Sequence, residues 1–349
     1  MTRISRAGRR LYRWIAWPAV TYALGLILVI AAGRVLDARR GILGLAAVFG
    51  PYLFVPVLVL VPLALRRGAW GVRLALAAAA LVWAGLYAPG LVASPARAAP
   101  GGLPVRVASW NIHGGNTRFD DVIAALRAND AGVVSLQEFS HAEQAAIAAD
   151  AGLATRYPYQ ILRPHDSATL GMALLSAYPI LEQGALDEPP AIWAKLDLGD
   201  GRTLRVIGAH PQPAGLRFVH AGDRRLPVGY EPQVRDAQIA RLRALIAPWL
   251  AAGDPLLLAG DFNVTEREPG YRDAAAGLLD AQRIAGSGPG LTWQPVTWPA
   301  IGRVPMLRID YLLGSPRFVP LQIAVDCTPR GSDHCLLNGT FSLAAVSGS

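Results

Sequence analysis

Three uncharged apolar stretches near the start of the chain constrain its fold more than any other feature of the sequence. They comprise residues 14–33, 41–65 and 74–96, and each is long enough to cross a bilayer as a helix, which takes about 20 apolar residues. Helices packed inside a soluble protein would show a polar face, which these stretches lack. A cleaved signal peptide is excluded, because the first stretch is too long and two more follow it. The sequence therefore predicts a membrane region, residues 1–96, with three transmembrane helices.

Arginines flank these stretches and predict the orientation of the chain. Residues 1–103 contain twelve arginines and one acidic residue, Asp37, which gives a net charge of +11. The N-terminal tail and the loop after the second stretch together hold eight arginines, whereas the loop after the first stretch holds three. Because cytoplasmic loops are enriched in Lys and Arg, we expect a cytoplasmic N-terminus. Three crossings then place the rest of the chain outside the membrane.

A second domain is predicted from residue 105 to the end of the chain. A segment rich in proline and glycine, residues 97–104, separates it from the membrane region. The net charge of residues 104–349 is −3, which argues against a broad electrostatic grip on polyanions. Predicted strands alternate with helices, and several connections are so short that the neighbouring strands must be antiparallel. This pattern favours an α/β domain in which two mixed sheets pack face to face with helices outside.

Polar side chains follow the apolar strands of this domain. The clearest example is residues 256–265, LLLAGDFNVT, where a buried strand ends in Asp261 and Asn263, two positions apart and therefore on the same side of an extended chain. Carboxylates and amides without cysteine are the ligands of a hard cation such as Mg²⁺, and histidines beside them transfer protons near neutral pH. This chemistry suits metal-assisted attack of water on phosphorus. The polar residues at strand ends are Asn111, Glu138, His210, Asp261, Asn263, Asp310, Asp333 and His334.

Seven motifs occur in a characteristic order between residues 105 and 343. They are WNIHGGN, VSLQE, GMALLSAYPI, GAHP, GDFN, RIDYLL and GSDH. Together they resemble the endonuclease/exonuclease/phosphatase superfamily, which includes deoxyribonuclease-like nucleases, abasic-site endonucleases, inositol-polyphosphate 5-phosphatases and bacterial sphingomyelinases. The resemblance implies a four-layer α/β sandwich with its active site at one edge of two sheets. It also implies phosphoester hydrolysis with Mg²⁺, or with Mn²⁺ in its place.

The same resemblance implies a role for each residue of the site. Glu138 would be the principal metal carboxylate, with Asn111 and Asp333 near the metal. Asp261 would orient or deprotonate the attacking water. Asn263 and His210 would hold the phosphoryl oxygens, and His334, oriented by Asp310, would transfer a proton.

Two departures from the family pattern affect this assignment. Abasic-site endonucleases have an aspartate at the position of His113, so a second acidic ligand is missing here. The deoxyribonuclease branch pairs a glutamate with the histidine that corresponds to His210. No equivalent glutamate is found securely before GMALLSAYPI, so the group that orients His210 stays open.

Two further segments carry expectations. The two cysteines of the chain, Cys327 and Cys335, bracket the loop that holds Asp333 and His334. If the domain lies outside the cytoplasm, a disulfide there would clamp this loop, and two buried thiols are the alternative. Residues 212–232, rich in Gly, Pro and Arg, are predicted to form an irregular loop.

These features lead to three functional hypotheses. The first is a membrane-anchored, Mg²⁺-dependent phosphoesterase of the bacterial inner membrane, whose extracytoplasmic domain hydrolyses a phosphodiester or phosphomonoester. Its partners would be the lipid bilayer and a substrate such as a lipid head group, nucleotide or nucleic acid, with no protein partner predicted. The second is an extracytoplasmic endonuclease that degrades DNA or RNA without sequence preference. The third is a membrane scaffold without catalytic activity.

Overall fold

The structure is a computed structural model that describes residues 6–36, 39–65, 69–92, 97–98 and 101–344. Within these residues the helices are α1 (Arg6–Val35), α2 (Gly41–Val48), α3 (Val55–Ala64), α4 (Trp70–Tyr87), α5 (Phe119–Ala128), α6 (His141–Ala148), α7 (Ala151–Arg156), α8 (Gln233–Ala251), α9 (Pro269–Ala275) and α10 (Ala281–Ala285). The strands are β1 (Leu103–Asn111), β2 (Val133–Gln137), β3 (Tyr159–Arg163), β4 (Met172–Ser176), β5 (Ile180–Leu186), β6 (Ala191–Gly199), β7 (Arg202–Ala209), β8 (Gly215–Ala221), β9 (Arg224–Glu231), β10 (Leu256–Asp261), β11 (Leu279–Asp280), β12 (Val296–Trp298), β13 (Gly302–Val304), β14 (Asp310–Gly314), β15 (Phe318–Asp326) and β16 (Leu336–Leu343).

The chain forms two compact units. The helical unit consists of Met1–Leu91 together with two short segments from later in the sequence, Gly215–Glu231 and Arg267–Pro269. The sheet unit consists of Val92–Ala214, Pro232–Glu266 and Gly270–Ser349.

Among the described residues of the helical unit, two helices are long and apolar enough to cross a membrane. The qualifying segments are Ala16–Gly33 within α1, and Trp70–Tyr87, which is α4. The middle stretch, residues 41–65, is not the straight helix that we expected, because Gly41–Val48 and Gly50–Ala64 are bent by 84° relative to each other. The unit therefore has two candidate spans, or three if the bent pair counts as one.

Proline explains these differences from the expected helices. Pro51 stands in the first turn after the bend, where it lacks an N–H donor and disfavours a helical conformation in the residue before it. The last helix begins at Trp70 and ends at Tyr87, rather than spanning 74–96, because a 3-10 turn that contains Pro89 follows it. Residues 93–96 of that expected span lie outside the described residues.

Contacts within the helical unit fix the direction of its helices. Arg73, in the first turn of α4, donates from Nε to the carbonyl oxygen of Ala64 at the end of α3, at 2.7 Å. At the other end of α4, the ring of Tyr87 packs edge-on against Phe54, with ring centroids 5.9 Å apart. Helices α3 and α4 therefore run antiparallel.

The sheet unit confirms the predicted α/β fold with two mixed sheets. One six-stranded sheet, sheet A, has the order β15-β16-β1-β2-β4-β3, and the other, sheet B, has the order β11-β14-β10-β7-β6-β5. Apolar side chains from both sheets share one buried cluster, which includes Val107 and Leu174 of sheet A and Val206 and Leu257 of sheet B. Two further clusters pack α5–α7 on sheet A and α8 on sheet B. Four layers result.

Strand pairing brings the ends of several strands to one edge of the sheets. In sheet A, β1 and β2 are parallel neighbours with Asn111 opposite Gln137, so Asn111 and Glu138 leave the sheet together. In sheet B, β7 and β10 are parallel, which places His210 beside Asp261. Strand β14 runs antiparallel to β10 and pairs Asp310 with Asp261. The register alone therefore gathers residues that are far apart in sequence.

The prediction of an irregular loop over residues 212–232 is wrong. Most of residues 212–232 forms an antiparallel hairpin, β8 and β9, rather than an irregular loop. The turn between the strands contains Gly222 with a φ of +62°, a left-handed conformation that glycine adopts easily. A Gly-Asp turn between two runs that contain apolar residues was the signal that could have identified it.

Candidate active site

Asn111 connects the two sheets at the centre of the site. Its side-chain amide donates from Nδ2 to Glu138 Oε1 at 2.9 Å and to Asp261 Oδ2 at 3.1 Å. Glu138 also accepts the backbone N–H of Gly114 at 2.8 Å. The Asn111 side chain is buried, whereas 16% of the Glu138 side chain is exposed. A carboxylate from sheet A, with access to solvent, is thus joined through one amide to a buried carboxylate from sheet B.

Asp333 and His113 lie next to Glu138 on its exposed side. His113 Nδ1 lies 3.3 Å from Asp333 Oδ1 and 3.9 Å from Glu138 Oε2, so the imidazole stands between the two carboxylates. The indole N–H of Trp293 donates to Asp333 Oδ2 at 3.1 Å. Neither His113 nor Trp293 is among the eight residues predicted from the sequence, but both contact Asp333 of the predicted metal site.

Two histidines converge on a single oxygen of Asp261. His210 Nε2 lies 3.5 Å and His334 Nε2 lies 3.6 Å from Asp261 Oδ2. On its other nitrogen, His334 Nδ1 lies 3.0 Å from Asp310 Oδ2, the carboxylate predicted to orient it. All four side chains are almost fully buried.

The structure answers the question of what orients His210. Its Nδ1 lies 3.0 Å from the carbonyl oxygen of Thr169, which accepts the Nδ1 proton. This hydrogen bond directs Nε2 toward Asp261. A main-chain carbonyl thus orients the imidazole, a role that the resemblance gives to a glutamate, and no side-chain motif could have revealed it.

Charge pairing opposes the effect of burial on these groups. Burial lowers the pKa of His334, but the charges of Asp310 and Asp261 outweigh it and raise that pKa to about 10. Burial also lowers the pKa of His210, yet its hydrogen bond with Asp261 and the charge of Asp261 leave it above the ordinary 6.5. Burial raises the pKa of Asp261, but the charge of His334 and the contacts with His210 bring it below 3.8. Burial raises the pKa of Asp310 above 3.8.

Asn263 is held by three hydrogen bonds. Its N–H donates to Asp261 Oδ1 at 2.9 Å, and its Nδ2 donates to the carbonyl oxygen of Pro211 at 3.0 Å. Its own carbonyl accepts Nη1 of the buried Arg235 at 2.8 Å. Asn263 has a φ of +50°, a left-handed conformation that is unfavourable for most side chains and needs such support.

The first turns of α8 support both loops of sheet B. Arg235 reaches the Asn263 turn, and the side chain of Gln238 accepts the backbone N–H of Gln212 at 2.8 Å, two residues after His210. Both side chains are buried. Helix α8 therefore positions the His210 and Asn263 segments relative to each other.

The loop that carries Asp333 and His334 is tied down at several points. Cys327 and Cys335 form a disulfide across it, with Cα atoms 4.3 Å apart, so of the two alternatives the disulfide is the one present. Ser332 Oγ donates to the carbonyl oxygen of Asn111 at 2.6 Å and accepts the N–H of His334 at 2.9 Å. The loop is therefore attached directly to the end of β1.

The structure thus brings all eight predicted site residues to one edge of the two sheets. Among the described residues, one group of three acidic or histidine side chains has its ligand atoms within 4.8 Å of one another, namely Asp261, Asp310 and His334. Two of its members already contact each other through His334 Nδ1 and Asp310 Oδ2. Asp333 and Glu138 stand farther out, on the side nearer solvent.

Comparison with known proteins identifies the family. The model of the Endonuclease/Exonuclease/phosphatase family matches residues 108–334, which span every residue of the site. The chain belongs to this family. The family prediction made from the seven motifs is therefore confirmed, and no curated protein matches the chain.

Several solved structures resemble the chain in fold at low sequence identity. An endonuclease/exonuclease/phosphatase family protein from Bacteroides thetaiotaomicron has 15% identity and a TM-score of 0.52, covering 70% of this chain and 99% of that chain. D. rerio TDP2 complexed with a single strand DNA product has 18% identity and a TM-score of 0.50, covering 68% and 98%. A mannosyl-6-phosphatase from Bacteroides thetaiotaomicron has 16% identity and a TM-score of 0.50, covering 68% and 99%. At these identities the likeness establishes the fold.

Proposed function

We propose that this protein is a membrane-anchored, divalent-metal-dependent phosphoesterase that hydrolyses a phosphodiester or phosphomonoester. One observation carries the proposal, namely the convergence of His210 and His334 on Asp261 Oδ2. Two imidazoles that share one buried carboxylate provide preorganised N–H donors in a nearly closed site, and such donors stabilise the charge that develops on phosphoryl oxygens during water attack. Membership of the family supports the same class of reaction.

The donor set at the site fits a hard divalent cation. Glu138, Asn111 and Asp333 offer carboxylate and amide oxygens, and Glu138 and Asp333 keep part of their surface open to solvent. Mg²⁺ retains several waters and binds proteins through one or two carboxylates, and Mn²⁺ accepts similar ligands. Glu138 would be the main ligand, with Asn111 and Asp333 beside it. A bound ion would polarise the phosphoryl oxygens and neutralise developing charge.

The protein's own residues would perform the proton chemistry. Asp261, with its lowered pKa, stays ionised and would orient the attacking water. His210, held by Thr169, and Asn263 would donate hydrogen bonds to phosphoryl oxygens. His334, with a raised pKa and Asp310 behind it, remains protonated at neutral pH and would donate its Nε2 proton to the leaving oxygen.

The substrate is proposed as a class rather than a compound. Two of the similar structures are described as a mannosyl-6-phosphatase and as a protein bound to a single strand DNA product, so this fold accommodates different phosphoesters. The net charge of −3 in residues 104–349 favours a small or lipid-borne phosphoester over a long polyanion.

We further propose a bacterial inner-membrane location with an extracytoplasmic catalytic domain. The arginine distribution supports a cytoplasmic N-terminus, and the Cys327–Cys335 disulfide is typical of an oxidising compartment. The topology requires an odd number of crossings, with the bent pair of α2 and α3 counted as one. A reporter enzyme that folds only outside the cytoplasm, fused after residue 349 of the full chain, should be active. A reporter active only in the cytoplasm would refute this topology.

A substrate panel tests the activity. Purified full-length protein should hydrolyse a chromogenic phosphodiester or phosphomonoester with Mg²⁺ or Mn²⁺, and chelation of the metal should abolish turnover. Asp261→Asn should be inactive, whereas Asp187→Asn, which changes an exposed carboxylate, should be as active as the wild type. Metal-dependent nicking of supercoiled plasmid that is lost in His334→Ala would assign nucleic acid as the substrate. Neither metal binding nor turnover on any phosphoester would refute the proposal and favour a scaffold.

A further inference from the structure

The segment 292–294, between α10 and β12, lies alongside the loop that is closed by the disulfide. The N–H of Gln294 donates to the carbonyl oxygen of Asp333 at 2.7 Å. The N–H of Cys335 donates to the carbonyl oxygen of Thr292 at 2.8 Å. These two backbone hydrogen bonds fix the position of the segment relative to the loop, so the side chains of the segment stand at defined places beside the site.

Two adjacent side chains of this segment contact different residues of the candidate site. Thr292 is fully buried, and its Oγ1 accepts the backbone N–H groups of Ile309 and Asp310 at 3.3 and 3.2 Å. Trp293 donates its indole N–H to Asp333 Oδ2 at 3.1 Å. One short stretch of chain therefore supports the start of β14 through a hydroxyl and the loop carboxylate through an indole.

The carboxylate of Asp333 has a neighbour at each of its two oxygens. Trp293 donates to Oδ2, and His113 Nδ1 lies 3.3 Å from Oδ1. The main-chain carbonyl of the same residue accepts the N–H of Gln294, so segment 292–294 contacts both the backbone and the side chain of Asp333. Because an ionised carboxylate has about four lone-pair positions, these contacts leave it able to bind a cation. The side chain is 21% exposed, which leaves access from solvent.

A second tryptophan of the same unit shows how an indole is used in the core. Trp110 is 1% exposed, and its N–H donates to the carbonyl oxygen of His334 at 3.1 Å. An indole buried so deeply needs a protein acceptor, because water does not reach its N–H group. Trp293 is only half-buried, yet its N–H donates to a carboxylate on the solvent side of the site. Burial alone therefore does not explain why this indole is directed at Asp333.

We infer that Trp293 is a positioning residue of the metal centre, which holds the carboxylate of Asp333 in the orientation that receives the ion. The inference rests on the proposed function, in which Asp333 lies beside the metal. A carboxylate that is ordered before the ion arrives loses less conformational entropy on binding, so the affinity for the ion is higher. Hydrogen bonds made to metal ligands by outer residues are worth about 10- to 100-fold in metal affinity.

Mn²⁺ binding to the purified full-length protein, followed by electron paramagnetic resonance, tests this inference. Trp293→Phe keeps an aromatic ring but removes the donor, and it should weaken Mn²⁺ binding by about 10- to 100-fold. Replacement of Trp293 by 3-benzothienylalanine, in which sulfur takes the place of the indole N–H, keeps the shape of the side chain and should have the same effect. Trp298→Phe, at a tryptophan that is 60% exposed on β12, is the matched control and should bind Mn²⁺ like the wild type.

A double-mutant cycle shows whether Trp293 acts through Asp333. Asp333→Ala should itself weaken Mn²⁺ binding, and the addition of Trp293→Phe should then cause no further loss. Equal losses from Trp293→Phe in the presence and absence of the Asp333 carboxylate would overturn the inference. Wild-type affinity in the benzothienylalanine protein would also overturn it, because only the N–H group is missing there. A lower melting temperature with unchanged Mn²⁺ affinity would leave Trp293 a merely structural role.

The same measurements separate failure of this inference from failure of the proposed function. Weakened binding in Asp333→Ala, together with wild-type binding in both Trp293 variants, would refute the inference and leave the metal site intact. No Mn²⁺ binding by the wild type, or no effect of Asp333→Ala, would refute the proposed metal site and the inference with it. At saturating Mn²⁺, Trp293→Phe should hydrolyse a soluble phosphoester with a kcat close to that of the wild type. A large loss of kcat with unchanged Mn²⁺ affinity would refute the positioning role and place Trp293 against the substrate.

Discussion

The two halves of the candidate site differ in how they hold their charged groups. The open half presents Glu138, at the end of β2 in sheet A, and Asp333, from the disulfide loop, which are partly open to solvent, with His113 between them at 43% exposure. The half from sheet B and the disulfide loop contains two histidines and two aspartates with side chains no more than 6% exposed. The open half suits an ion that must enter with its waters, and the buried half suits protons that must be held in defined positions.

The charged side chains of the two halves are stabilised in different ways. In the buried half, each charged group has an opposite charge within about hydrogen-bond range, because an isolated buried charge is very costly. In the open half, two carboxylates stand near each other with an imidazole between them, and water shares the task of solvating them. The open half should therefore respond to metal concentration and the buried half to pH.

The largest expected effect comes from the buried half. His334→Ala should lower kcat by about 10²- to 10⁴-fold, the usual contribution of a positioned acid or base. The affinity for the metal should stay within a few fold of the wild type, because Glu138 and Asp333 are untouched. Steady-state kinetics and a Mn²⁺ titration followed by electron paramagnetic resonance give the two quantities.

His141→Ala provides the matched control, because His141 is exposed at the start of α6 and lies outside the site. It should leave kcat unchanged. If His334→Ala abolished Mn²⁺ binding together with turnover, the division into two halves would fail. His334 would then belong to the metal site, as its closeness to Asp261 and Asp310 allows.

The next largest effect concerns the open half. Glu138→Gln should weaken metal binding by at least about 10- to 100-fold, since even outer residues of metal sites have effects of this size. Raising the metal concentration should recover part of the lost activity, because the buried half remains assembled. Isothermal titration with Mn²⁺ and activity measured against metal concentration test this.

Glu188→Gln, at an exposed carboxylate, is the control and should bind metal like the wild type. Wild-type metal affinity in Glu138→Gln, combined with a large loss of kcat, would show that Glu138 acts in proton chemistry. That result would erase the distinction between the halves.

A pH effect should appear in the buried half alone. Activity that needs protonated His334 and ionised Asp261 should be level through neutral pH and fall as pH approaches about 10, where His334 loses its proton. Asp310→Asn removes the charge that raises the pKa of His334, so the alkaline limb should move to lower pH. Values of kcat/KM measured from pH 6 to 10.5 would show the shift. An alkaline limb at the same pH in both proteins would mean that His334 is not the group that causes it.

The sequence predicted the eight residues of the site, but it did not predict the groups that hold them in place. Each of the eight residues follows an apolar strand or stands in a short motif, so the residues could be collected before their distances were known. The carbonyl of Thr169, which orients His210, is a main-chain atom without any residue signature. Arg235 lies in α8, and the sequence of a helix does not by itself distinguish an arginine buried under a turn from one in solvent.

Composition predicted the helices of the helical unit, but the structure corrects where these helices bend and end. Absence of charge identifies apolar helices, but it does not say where an apolar run bends. Gly50 and Pro51 carried that information and were overlooked, as was the Gly222 turn of the hairpin. Long-range packing, such as Tyr230 on Gly44, has no local signal, since either residue type is common in loops and helices.

A smaller effect is expected from α8, which supports the buried half without entering it. Arg235→Met keeps most of the side-chain volume but removes the hydrogen bond to the Asn263 carbonyl. A displacement of the turn by a fraction of an ångström should lower kcat by about tenfold, since shifts near 1 Å cost up to about 100-fold. KM and Mn²⁺ affinity should change little. Arg235→Lys, which can still donate, should recover part of the loss.

Arg241→Met, on an exposed position of the same helix, controls for loss of a guanidinium and should behave like the wild type. A merely structural role for Arg235 would lower the melting temperature while leaving kcat per folded molecule unchanged. Equal losses of kcat and Mn²⁺ affinity would mean that α8 positions both halves, contrary to the contacts that it makes.

The smallest effect on turnover should come from the disulfide, which holds a loop shared by the two halves. Replacing both cysteines by serine frees a loop whose ends are 8 residues apart, which should lower the free energy of unfolding by about 2.5 kcal/mol. The hydrogen bonds of Ser332 to Asn111 and His334 remain, so kcat at low temperature should fall by less than about threefold. Thermal unfolding and activity at increasing temperature measure the two effects. A loss of kcat comparable to that in His334→Ala would show that the covalent bond, and not the Ser332 hydrogen bonds, holds Asp333 and His334 across the junction between the halves.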